Sequence, residues 1–181
     1  LKNLNKALSK IENYVDGPSD GRFQTGLMQV RNCPDPTSYS PEFQQSAKSL
    51  GYEADDWDYN GTSQENGAGP LQFNIDEKGN RHSPFKAYLE DVLTNKNLEI
   101  ISDAYVKRIL LHEKTAIGVE IEFRNGLSKK IKCNKKIIIC AGAIGSPILL
   151  ERSGIGNSKS LKNANISQLI DAPSVGENLM D

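Results

Sequence analysis

Apolar and polar positions alternate between helix and strand periods in the first half of this chain and follow a strand period from Leu98. Leu4, Leu8, Ile11 and Tyr14 recur at steps of 4, 3 and 3, a stripe that predicts an amphipathic helix over residues 2–14. Residues 16–21 read as a loop, and 23–30 as a strand with Leu27 and Met28 inside it. A polar loop with two prolines follows over 32–40. Ser40-Pro41-Glu42 then supplies a capping hydroxyl, a proline for the first helical position and an acid for the first turn. Phe43, Ala47 and Leu50 give that helix its face, and Gly51 ends it. Residues 55–69 are acidic and turn-prone, most sharply at Asn60-Gly61. Leu71, Phe73 and Ile75 alternate with polar residues, predicting a half-buried strand over 70–75. Ser83-Pro84 repeats the helix start and opens a helix to about Leu93, with Phe85, Tyr88, Leu89 and Val92 on one side.

Beyond that point five runs read as strands: 98–101, 105–111, 116–123, 127–133 and 136–140. Asn125-Gly126 supplies a hairpin turn between two of them. The pattern predicts a β-meander followed by a return strand. A helix over 146–153, with Pro147 in its first turn and Gly154 past its end, comes next. The tail to Asp181 is irregular apart from a short strand at 168–170. The expected class is a mixed α+β or α/β fold.

Composition narrows the function classes. The 181 residues suit one domain or a portion of a larger one. With 22 basic and 23 acidic residues the net charge is −1, which gives no electrostatic reason for a nucleic-acid or anionic membrane partner. No apolar run approaches the roughly 20 residues of a bilayer span. The opening Leu1-Lys-Asn-Leu-Asn-Lys lacks the apolar core of a secretion signal, so a cytoplasmic location is expected, although the first residue is not methionine. Cys33, Cys133 and Cys140 are odd in number and irregularly spaced, which argues against a disulfide framework or a cysteine metal site. Asp55, Asp56 and Asp58 lack calcium-loop spacing, so no metal is expected.

The candidate chemistry lies where Ile137-Ile-Ile-Cys-Ala141 runs into Gly142-Ala-Ile-Gly-Ser-Pro147. A strand that feeds a glycine turn and a helix start presents free backbone N–H groups at the positive end of a helix dipole. Ala141, Gly142 and Ala143 lack bulk, so a flat cofactor could lie against the backbone. A tight turn that needs small residues only for packing accounts for the same pattern. His82 and His112 have no evident paired acid or nucleophile and are not read as catalytic. Arg81 and Ser83 are read as turn and cap residues.

From Gly142 to Gly156 the chain has a small-residue pair, two spacers, Ser-Pro, one spacer, two aliphatics, two spacers and Ser-Gly-Ile-Gly. That spacing resembles a signature of the glucose-methanol-choline (GMC) family of flavin oxidoreductases. Asp58-Tyr-Asn-Gly61, Gly67-Ala-Gly69, Gln72, Gly79-Asn-Arg81 and Ala87-Tyr-Leu89 resemble the family's central segment. Asn97 to Ile100, Ala104 to Val106 and Ala116 to Val119 resemble the segment after it, and 173–181 resembles its Val-Gly-x-Asn-Leu-x-Asp loop.

The resemblance implies an FAD enzyme oxidising a small primary or secondary alcohol by hydride transfer to the flavin. It implies that Val106 meets the adenine through its backbone, with Ala141, Gly142 and Ala143 near the adenosine end. Residues 1–93 would belong mostly to the substrate side and 94–181 to the FAD domain. The family's Gly-x-Gly-x-x-Gly pyrophosphate turn and its catalytic histidine have no match here. The chain therefore reads as a central portion completed by the remainder of the same polypeptide, with no catalytic residue of its own. An FAD lyase or decarboxylase of the same fold, an inactive folded module, and an unrelated binding module are the alternatives.

Overall fold

The computed structural model describes residues 2–17, 20–34, 39–55, 57–62 and 65–180. These form two compact units, Leu1–Glu99 and Ile100–Asp181. Asp56, parts of the loops expected at 16–21 and 32–40, and the terminal Asp181 lie outside the described residues.

In the first unit the stripe of Leu4, Leu8 and Ile11 forms helix α1, Lys2–Ile11. The expected helix stops there because the next residues become strand β1, Glu12–Tyr14. β1 lies parallel to β2, Met28–Asn32, with Tyr14 opposite Val30. Tyr14 is only 6% exposed, so the last apolar position of the stripe serves the sheet instead of a helix face. β2 begins later than the strand expected from Phe23, and it pairs antiparallel with the short β3, Gln72–Phe73. Helix α2, Ser40–Ser49, starts where the serine-proline pattern places it, although Tyr39 holds the cap position and no side chain caps the turn. The second serine-proline pattern yields a π-type turn, Phe85–Leu89, and then a 3₁₀ turn, Glu90–Val92. Pro84 holds its cap position, so the cap expected from Ser83 does not form.

This unit closes around a buried polar hub. The Arg22 side chain is 2% exposed and donates to Glu12 Oε1 at 2.6 Å and to Asp58 Oδ1 at 2.7 Å. It also donates to Gln72 Oε1 at 2.8 Å and stacks 4.0 Å from the Tyr14 ring centre. Gln72 returns a bond to Asp58 Oδ1, and the Phe23 N–H donates to Glu12 Oε2. Burial works to lower the Arg22 pKa, but the Glu12 and Asp58 hydrogen bonds outweigh it and raise the guanidinium above its ordinary value. The hub thus joins β1, β3 and the turn at Asp58. Beyond it, Trp57 packs its indole over Gly67, where a Cβ would overlap the ring.

The second unit is built on an antiparallel meander of β4, Ala104–His112, β5, Thr115–Phe123, and β6, Ser128–Lys132. Asn125-Gly126 makes the expected hairpin turn, closed by the Gly126 N–H on the Phe123 carbonyl at 2.9 Å. Ile109 and Ile121 fill the core at 6% and 3% exposure. The outer strands expected at 98–101 and 136–140 do not form. Both runs are apolar, but a strand needs a ladder partner, and among the described residues neither run pairs with another segment. Helix α3 spans Gly142–Arg152, starting four residues before the expected Ser146, so Pro147 lies inside it and supplies no N–H to the ladder. The tail is more regular than expected. β7, Ile155–Gly156, pairs parallel with β8, Ile170–Asp171, around helix α4, Ser158–Asn163. Asn157 caps α4, its side chain accepting from the Lys159 and Ser160 N–H groups.

Candidate cofactor site

The meander and α3 meet at a groove of about 520 Å³ whose walls include Val106 and Ala141. Val106 comes from β4, and Ala141 stands at the cap position of α3, 35 residues later in the sequence. Ile137, Ile139, Cys140, Gly145 and Leu149 complete much of the wall, so the groove is lined by apolar and small residues.

Local chemistry explains both walls. The ladder shifts register between Val106 and Arg108, leaving Lys107 as an extra residue in β4. Such bulges bend a strand and interrupt its ladder, often beside functional sites. Lys107 donates to Glu122 at 2.8 Å, and Arg108 to Glu120 at 2.7 Å. The first contact holds the Lys107 ammonium above its ordinary pKa, and the second holds the Glu120 carboxyl below its own. Both cations are engaged by β5 carboxylates.

On the other wall, no side chain caps the first turn of α3 and no acidic residue lies in it. Its N–H groups and dipole are therefore available to an electron-rich group. Gly142 has φ +83°, a conformation that glycine adopts without strain, and a Cβ there would meet nothing within 4 Å. The glycine is thus required by conformation, with open space beside it. Ala143 is not brought to this groove. It lines a second one of about 450 Å³, formed by Ile144, Pro147, Ile148 and residues 176–180.

Ser153 and the pair Tyr105–Arg152 were not singled out from sequence. Ser153 is 5% exposed; its hydroxyl donates to the Leu149 carbonyl at 2.6 Å and accepts from the Ile109 N–H at 2.8 Å. It stands in the Ser-Gly-Ile-Gly end of the signature, which was the available signal. Arg152 lies 5.3 Å from the Tyr105 ring centre and hydrogen-bonds its hydroxyl.

The other candidates have local roles. His82 Nδ1 accepts from the Gln29 N–H at 3.3 Å, which ties the loop before Pro84 to β2. Arg81 bridges Ile75 and closes the 76–80 turn. His112 is exposed where β4 turns into β5. Among the described residues no three His, Cys, Asp or Glu side chains gather to hold a metal ion, and no helix is long and apolar enough to cross a membrane.

An apolar groove beside an uncapped helix start fits the adenosine end of FAD. No cationic side chain among the lining residues suits a pyrophosphate.

Comparison with known proteins identifies the arrangement. The GMC oxidoreductase family model matches residues 2–181. Oxygen-dependent choline dehydrogenase from Photobacterium profundum is 40% identical over 175 residues, covering 95% of this chain and 30% of the relative. The enzyme of the same name from Klebsiella pneumoniae subsp. pneumoniae is 36% identical over 176 residues, with 95% and 31% covered. The chain therefore spans less than a third of the length of these relatives. Among solved structures, pyridoxine 4-oxidase from Mesorbium loti superposes with a TM-score of 0.83 at 28% identity, covering 96% of this chain and 33% of that one. An FAD-dependent oxidoreductase from Chaetomium thermophilum, 24% identical, shares the fold with a TM-score of 0.86, covering 99% and 33%. With the meander, the glycine turn and the family match in agreement, the chain belongs to the GMC oxidoreductase family.

Proposed function

We propose that this chain is the central portion of a choline dehydrogenase-like FAD enzyme that oxidises a small alcohol. The observation that carries the reading is the convergence of Val106 and Ala141 on one groove. Val106 would meet the adenine through its backbone, Ala141 and Gly142 would let the adenosine end approach the start of α3, and Ala143 would support that turn from its far side. When bound, FAD supplies the hydride-accepting ring, and this chain's residues bind and orient its other end. The proton acceptor and the pyrophosphate turn would come from the remainder of the polypeptide. Residues 1–93 would form part of the substrate side and 94–181 part of the FAD domain. A cytoplasmic location accords with the reading.

The test is anaerobic titration of the complete purified polypeptide with choline and other small alcohols. The reading predicts loss of the oxidised flavin absorption on adding an alcohol. A protein that carries no flavin, or a flavin that no alcohol reduces, refutes it.

A further inference from the structure

Val106 and Ala141 belong to separate elements, and their spacing sets the width of the groove between them. β4 is an edge strand of the meander, so one side of its backbone is free of ladder bonds. The Ile109 N–H uses that side to donate to Ser153 Oγ at 2.8 Å. The same hydroxyl donates to the carbonyl of Leu149, a groove-lining residue of α3, at 2.6 Å. The serine is 5% exposed, so water does not readily replace either partner. Ile109 is the third residue after Val106, and Leu149 lies two helical turns beyond Ala141.

We infer that Ser153 is a positioning residue, a two-way hydrogen-bond clamp between β4 and α3 that holds the groove at the width an adenine ring needs. The inference rests on the adenosine reading of this groove. It predicts that loss of the hydroxyl affects ligands that carry adenine and spares ligands that do not.

The test uses the apo form of the complete polypeptide with two probes, ADP and FMN, titrated calorimetrically beside a melting curve. Ser153→Ala weakens ADP binding by about tenfold, as expected for one lost buried hydrogen-bond partner. FMN binding is unchanged, and Ser153→Thr, which keeps the hydroxyl, restores ADP affinity. Equal ADP affinity in wild type and Ser153→Ala overturns the clamp while leaving the adenosine reading intact. Equal losses for ADP and FMN also overturn it, because they indicate general destabilisation. Absence of ADP binding by the wild type overturns the adenosine reading and the clamp with it. Should Ser153→Ala fail to fold, Ser153→Cys, a weaker acceptor, replaces it under the same criteria.

Discussion

Replacing Arg22 with methionine strikes the hub that joins β1, β3 and the Asp58 turn. The substitution keeps much of the side-chain volume and the packing on Tyr14 but removes the charge. Asp58, with a side chain 9% exposed, and Glu12, at 22%, then both lose the guanidinium they share. Breaking a buried ion pair by deleting one partner costs about 3–5 kcal/mol. Remaining donors soften the loss, among them Gln72 Nε2 and the Asn60 N–H on Asp58 and the Phe23 N–H on Glu12. Glu12 also retains some solvent, so a loss of about 3 kcal/mol is expected. That is a large share of a domain's stability of roughly 5–15 kcal/mol. Trp57, the single tryptophan of the 181-residue chain, neighbours Asp58 and reports unfolding by fluorescence in urea. Arg22→Lys keeps the charge but loses the planar fork that serves Glu12, Asp58 and Gln72 together, so it falls between wild type and Arg22→Met. A deficit below about 1 kcal/mol for Arg22→Met, the size of an exposed pair, refutes the hub as a buried organising contact.

Four further outcomes follow from the same geometry. Gly142→Ala has room for its methyl but not the backbone angle, so it costs about 1–3 kcal/mol and lowers FAD retention in the complete polypeptide; undiminished retention contradicts the turn's role. Gly67→Ala pushes a methyl into the Trp57 indole, so the melting temperature falls and tryptophan emission shifts to the red. The Asp76 carboxylate is held at about 2, below its ordinary 3.8, first by the Asn80 N–H and also by the Asn80 side chain, the Lys78 N–H and Lys86. Because the folded value is the lower one, its stabilisation is present above pH 3.8 and is lost as pH falls toward 2; carbon NMR titration reads this directly, and Asp76→Asn abolishes that part of the acid profile. The 181-residue chain alone retains little or no FAD, and a near-stoichiometric flavin band after gel filtration contradicts that expectation.

The local part of the fold was legible in the sequence. β4 to β6 follow from alternation plus Asn125-Gly126, because a meander pairs neighbours through short turns. What failed was non-local. The Ile137–Cys140 run has the composition of a strand, yet a strand forms only beside a partner, and composition does not show one. The stripe places Glu12–Tyr14 in a helix because Tyr14 continues it, whereas pairing with Val30 decides its state. Helix α4 carried a readable signal in Asn157 but is only six residues long, too short for periodicity to register. In the candidate site, Ala141 follows from the small-residue turn at a helix start and Val106 from family resemblance alone. Their meeting in one groove needs the tertiary path of β4 and α3, as does the separation of Ala143 from them. Ser153 reads in the sequence as one fixed letter in a signature, and the bond its hydroxyl accepts comes from Ile109, 44 positions away.

A crystal structure of the complete polypeptide with FAD bound tests the central claim most directly. The account predicts the adenine ring in the groove between β4 and the start of α3, hydrogen-bonded to the Val106 backbone and passing close to Ala141 and Gly142. An adenine bound elsewhere, with the Val106 groove filled by protein, contradicts it.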